Sequence, residues 1–100
     1  MAYMIETWDG PGRAELRQAT RPAHMDYLAA NLGKVLAAGA KLSDDGETAS
    51  GTLYIIETDS RQEAEAFLAA DPFTQVGLPE RTVVTRWRKG FFNFENLVQR

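Results

Sequence analysis

GTLYIIETD, residues 51–59, reads as a strand: β-branched, aromatic or apolar side chains run unbroken from Thr52 to Ile56, with Gly51 in front and Asp59-Ser60 behind. Beyond it, Asp59 or Ser60 can cap a helix, RQEAEAFLAA at 61–70, whose Ala64, Phe67 and Leu68 form a narrow apolar stripe. Asp71-Pro72 closes that helix, because the residue before a proline disfavours helical dihedrals. Phe73–Leu78 reads as a further short turn of helix, and ERTVVTRWR at 80–88 as a last strand of alternating character.

On the N-terminal side, SDDGETAS (43–50) is a solvated turn, and Ala37–Leu42 a short strand around Gly39. Before it the spacing predicts a helix that starts at Thr20 as cap, holds Pro22 in its first turn, and buries Leu28, Leu32 and Val35/Leu36. His24 continues the series 24, 28, 32 backwards and so falls on the buried side. Residues 13–19 read as a separate polar helical stretch with no apolar stripe. Gly10-Pro11-Gly12 turns the chain, and AYMIETWD (2–9) is a first strand.

The order is β-α-β-β-α-β, the ferredoxin-like α+β arrangement of a four-stranded antiparallel sheet with two helices on one face. The opposite face is expected to carry Met4, Trp8, Tyr54, Ile56 and Trp87. A chain of 100 residues has no third layer to cover them, so a homodimer is expected. Fourteen of the 44 apolar residues are alanines, and five of the larger ones crowd the tail 90–100: Phe91, Phe92, Phe94, Leu97 and Val98. That tail either folds back on its own sheet or docks on another subunit; the second is the reading preferred here.

Composition narrows the function classes. A net charge of −3 supplies no basic patch for nucleic acid, and no apolar run is long enough to span a bilayer. The first ten residues lack the features of a secretory signal, so a cytoplasmic domain acting on a small molecule is expected. With no cysteine, thiolate metal sites and cysteine nucleophiles are excluded. Asp44-Asp45 before Gly46 reads as a turn rather than a metal site. No phosphate loop, nucleophile elbow or zinc motif occurs.

Taken in order, RPAH (21–24), Gly39, GTLYIIET (51–58) and EAEAFLAADPF (63–73) resemble the YciI-like family over about residues 2–89. Two departures stand out: Ala40 where relatives often have proline, and the Phe-rich extension from Gly90 onward. The resemblance implies a dimeric α/β barrel and a pocket with a catalytic His-Asp pair, here His24 of RPAH and Asp71 of DPF. Some members of that family are dehydrochlorinases of chlorinated aromatics, and most have no assigned substrate.

His24 is the single histidine of the chain. Packed near a helix N-terminus it favours the neutral imidazole, a general base at neutral pH; the bland alternative is a packed core histidine. Asp71 has two compatible roles, capping the turn after Pro72 or orienting the His24 ring. Arg21, Tyr54 and Arg86 are candidate substrate-binding residues, with Arg88 as an alternative to Arg86. Tyr3, Trp8 and Trp87 can likewise stack on a planar ligand or fill a dimer core. The expected function is cofactor-independent acid/base chemistry, isomerisation or elimination, on a small cyclic or aromatic compound. The alternatives are a non-catalytic small-ligand-binding homodimer and an interaction module that works through the tail.

Overall fold

The computed structural model describes residues 1–98. Its elements are β1 (Ala2–Asp9), α1 (Ala14–Ala30), β2 (Val35–Leu42), β3 (Ala49–Glu57), α2 (Arg61–Ala70), α3 (Pro72–Gln75), β4 (Pro79–Trp87) and a two-stranded hairpin, β5 (Phe91–Phe92) with β6 (Glu95–Asn96). The first four strands form one antiparallel sheet in the order β2-β3-β1-β4, the ferredoxin-like topology expected from the order of elements.

Register fixes which side chains face the helices. Ile5 lies opposite Tyr54 and Tyr3 opposite Ile56. These four pack with Ala64, Phe67 and Leu68 of α2 in the core, with Tyr27 and Leu28 of α1 against them. Tyr54 and Ile56 therefore belong to the helix-covered face, not to the open one where the sequence reading put them. Met4, Trp8 and Trp87 do face away from the helices, together with Leu53, Ile55 and Val83. The error has a physical source: Leu53-Tyr54-Ile55-Ile56 is apolar on both faces, so period-two alternation carries no information about side. Trp8 on the open face lies between the Lys41 ammonium, 3.9 Å from the ring centroid, and the Arg81 guanidinium, 4.5 Å from it.

Three further expectations change. Residues 13–19 and the helix after Thr20 are one continuous α1, with Pro22 inside it rather than in a first turn. The polar half lacks an apolar stripe because the residue it buries is an arginine, Arg17. At the other end α1 stops at Ala30, a turn of 3₁₀ helix covers Leu32–Lys34, and β2 starts at Val35. Leu32 is thereby exposed instead of buried. The helix stops short of Gly33 and β-branched Val35, both weak helix formers.

Elsewhere the local signals act as read. Ser60 caps α2, its hydroxyl accepting from the Glu63 amide at 3.1 Å. Asp45 ties the 43–48 turn by accepting from Ser43 Oγ at 2.6 Å and from the Glu47 amide at 3.0 Å. Gly51 is required: a Cβ there would stand 2.0 Å from the Thr7 carbonyl oxygen on the neighbouring strand. One part of the tail folds back on its own sheet, the first of its two expected fates. Phe92 returns to the sheet edge against Trp87, ring centroids 6.2 Å apart, while Phe91, Phe94, Leu97 and Val98 are exposed. Residues 99–100 of that tail lie outside the described residues.

Candidate active site

Asp71 lies at a helix end as expected, whereas His24, expected near a helix N-terminus, stands in mid-helix because α1 already begins at Ala14; the two side chains meet in the fold. Asp71 sits between α2 and α3, ending the first and capping the second through the Phe73 amide at 2.9 Å. His24 projects from the middle of α1, and its Nδ1 lies 2.8 and 2.9 Å from the two Asp71 oxygens. Asp71 thus caps α3 and meets the His24 ring with the same carboxylate. A carboxylate at this distance fixes the tautomer: Nδ1 carries the proton and donates it, leaving Nε2 with the lone pair.

Asp71 is fully buried. An ionised carboxylate there must be satisfied by donors, and it has three: the imidazole, the Phe73 amide, and the Tyr54 hydroxyl, which donates to Oδ2 at 2.5 Å. Burial, the Asp71 charge and this hydrogen bond together push the Tyr54 ionisation far up, against a smaller opposing pull from Arg17. The Tyr54 phenol therefore stays protonated and donating. Tyr54 is not a stacking platform for a ligand; it is 1% exposed and serves the carboxylate from behind. The Phe73 ring lies parallel to the imidazole, centroids 3.8 Å apart, and holds its plane.

A cavity of about 710 Å³ opens in front of His24, between α1 and the β2–β3 hairpin. It exists because α1 packs against α3 and stands away from β2, whose residues at this level, Ala38, Gly39 and Ala40, are too small to fill the gap. Ala40 is thus part of the cavity wall. Among the described residues, His24 Nε2 has no hydrogen-bond partner, and Thr74 Oγ1 is the one side-chain polar atom both sealed from solvent and unpartnered. Nε2 is therefore accessible, and the cavity His24 lines is its route.

Arg21 lines the cavity from α1, as expected of a ligand-binding residue. Arg86 does not: it lies opposite Tyr3 on β4, where its guanidinium meets the Tyr3 hydroxyl at 3.4 Å and the Met1 sulfur. Arg88 falls after the end of β4 and outside the lining too. The residue that sequence reasoning missed is Arg17. Only 9% exposed, it bonds Asp9 through Nη1 at 3.0 and 3.2 Å, and the Gly51 carbonyl and Thr52 Oγ1 through Nη2 at 3.0 Å each. It also lines the cavity. The signal that points to it is helical spacing: 17, 21, 24 and 28 form one face of α1. Among the described residues no group of three His, Asp or Glu is placed to hold a metal ion.

Residues 1–88 match the family model described as the YCII-related domain. The chain belongs to the YCII-related family. It is 34% identical over 98 residues to Protein YciI of Escherichia coli O6:H1, covering 91% of this chain and all of that protein, and equally to Protein YciI of Shigella flexneri. Among solved structures it resembles 5-chloro-2-hydroxyhydroquinone dehydrochlorinase (TftG) of Burkholderia phenoliruptrix AC1100, determined in complex with 2,5-dihydroxybenzoquinone. The TM-score is 0.83 at 33% identity, over 90% of this chain and 96% of that one. Rv0793 of Mycobacterium tuberculosis, 14% identical with a TM-score of 0.50 over 88% of this chain and 94% of that one, shares the fold alone. The tail after Trp87 lies almost wholly beyond the YCII-related match.

Proposed function

We propose that this YCII-related chain is a small-molecule enzyme in which His24 is the general base and Asp71 its orienting partner. The observation that carries the reading is the asymmetry of the imidazole: Nδ1 is held by a buried carboxylate while Nε2 opens onto a cavity large enough for a ring-sized ligand. Nε2 takes a proton from a carbon or hydroxyl of the bound molecule, and Asp71 stabilises the imidazolium that forms. In an isomerisation, the proton returns to a different carbon. In an elimination, the C–H electron pair becomes the new double bond and the leaving group departs with its own bonding pair. Imidazole and carboxylate suffice for either course. The likeness to a dehydrochlorinase, an enzyme of elimination, supports the second.

Homodimer formation belongs to this proposal. Both large helices lie on one face of the sheet, and on the other Met4, Trp8, Leu53, Ile55 and Val83 have no covering layer among the described residues, the C-terminal hairpin reaching only Trp87. No helix among the described residues is long and apolar enough to cross a membrane, and we place the enzyme in the cytoplasm, a reducing compartment that costs a cysteine-free chain nothing.

The single histidine makes the test direct. An NMR pH titration of His24 in the wild type and in Asp71→Asn is expected to move to lower pH in the variant, because the imidazolium loses its carboxylate. Identical titrations would abandon the pair and leave the non-catalytic ligand-binding homodimer as the better reading.

A further inference from the structure

The strand that walls the cavity is made of residues that do not favour a strand. Ala37, Ala38, Gly39 and Ala40 fill the middle of β2, although alanine and glycine are both depleted in sheets. The facing stretch of β3, Thr52–Ile55, is a strong β former throughout, so the weakness is confined to the side that borders the cavity. A local preference overridden at one place marks a second demand on those positions.

Register gives the direction of that demand. Ala38 lies opposite Tyr54 and Ala40 opposite Thr52. Both partners point to the helices, the Tyr54 hydroxyl reaching Asp71 and Thr52 Oγ1 accepting from Arg17. Directly opposed residues share a face, so the Cβ atoms of Ala38 and Ala40 point across the gap toward α1, and a longer side chain at either would grow into the cavity. Gly39 opposes Leu53 and belongs to the other face.

The space these two alanines leave exceeds what one ring needs. A cavity of roughly 150 Å³ encloses a benzene molecule, against about 710 Å³ here. The lining follows α1 from Ala14 to Leu28, a rise of roughly 20 Å, with His24 toward its C-terminal end. A ring within reach of His24 therefore fills only part of it. Met25, Leu28 and Leu42 add apolar surface to the lining, and the flexible thioether of exposed Met25 can adapt to an irregular shape.

We propose that the ligand of this cavity is a ring carrying a bulky apolar arm, a second ring or a branched alkyl group, and that Ala38 and Ala40 determine specificity by admitting the arm. The inference rests on His24 as the reacting end of the cavity, and it adds the size class of the substrate and two residues that touch it.

Two probes with one head group test it. 2,5-Dihydroxybenzoquinone, the molecule in the TftG complex, is compared with its 3-phenyl derivative. In calorimetry the wild type is expected to bind the phenyl derivative at least tenfold more tightly, the scale of burying one phenyl group. Ala38→Leu and Ala40→Leu are expected to abolish that preference and to leave the affinity for the smaller probe nearly unchanged. Ala38→Val and Ala40→Val, which suit a strand better, repeat the measurement where leucine disturbs the fold. Their urea midpoints are expected to hold or rise, because the small residues serve the cavity and not the packing. Equal affinity of the wild type for the two probes, binding of neither, or a preference that survives all four variants overturns the proposal. The two readings fail separately. Equal affinities, while Asp71→Asn still moves the His24 titration, remove the size class alone. A preference abolished by the variants, beside an unmoved titration, removes the base and leaves a binding cavity of the stated size.

Discussion

Tyr54 shows how one side chain can act on the proposed chemistry without meeting a ligand. Its hydroxyl, 2.5 Å from Asp71 Oδ2, draws charge from the carboxylate that steadies the imidazolium. Tyr54→Phe removes that donor. The His24 titration is expected to move to higher pH, opposite to Asp71→Asn, and stability to fall by about 1.5–3 kcal/mol, the scale of a buried hydrogen bond to a charged group. A variant that loses stability with no movement of the titration would reduce Tyr54 to packing. The same phenol sets an alkaline limit. Burial foremost, with the Asp71 charge, raises the ionisation of both Tyr54 and Tyr27 in the folded state. Above the ordinary value of 10.0 the unfolded chain gives up protons that the folded chain keeps, so fewer protons are bound when unfolded. Stability is then full below pH 10 and falls as pH rises, by about 1.4 kcal/mol per pH unit for buried Tyr54 and by less for the partly exposed Tyr27. Urea midpoints measured between pH 9 and 11.5 should show this slope, and Tyr54→Phe should remove most of it; a flat profile would contradict it.

The elements differ in how far the sequence reveals them. β3 is plain in Thr52–Ile56, and α2 in its Ser60 cap and three-residue stripe, because each signal is local and needs no partner to interpret. α1 is harder. Its first half looks polar and frayed because a helix that buries an arginine against acceptors on two strands shows no hydrophobic periodicity. Pro22 then looks like a beginning, although it lies eight residues inside. Asp71 was legible from motif and helix end, and His24 from motif and from the inward-facing series 24, 28, 32, though not at the helix N-terminus expected for it. Arg17 was not, because its value comes from Asp9, Gly51 and Thr52, which only the sheet brings to it. Pro22 also predicts an outcome. Lacking an N–H, it leaves the Gln18 carbonyl without its helical donor, and Gln18 lines the cavity. Pro22→Ala restores that bond, and the urea midpoint is expected to rise by the equivalent of about 1–3 kcal/mol. A lower midpoint would mean that the ring itself is packed to advantage.

For the molecule as a whole, the uneven covering of the sheet is the property that matters. The core lies between the sheet, chiefly β1 and β3, and the helices, and the other face is the one on which the proposed second copy of this 11.1 kDa chain would sit. Met4, on the central strand β1, lies near the middle of that face. Met4→Glu is expected to leave the circular dichroism spectrum intact and to convert a particle of twice the chain mass into one of 11.1 kDa in sedimentation. A wild type that sediments as a monomer at micromolar concentration would end the dimer proposal. Deleting residues 90–98 asks the separate question of whether the exposed Phe91 and Phe94 contribute; the packing of Phe92 on Trp87 places the hairpin at the margin, so the mass should hold.

The position of the two indoles has a spectroscopic consequence. Trp8 and Trp87, the only tryptophans, both face away from the core, Trp87 pairing with Ala2 at one end of β1 and Trp8 lying toward the other, about 20 Å along the strand. Nothing in the chain's own interior colours their emission. Whatever displaces water from that face therefore changes the wavelength of the whole protein's fluorescence, and the unlabelled chain is its own optical probe of association.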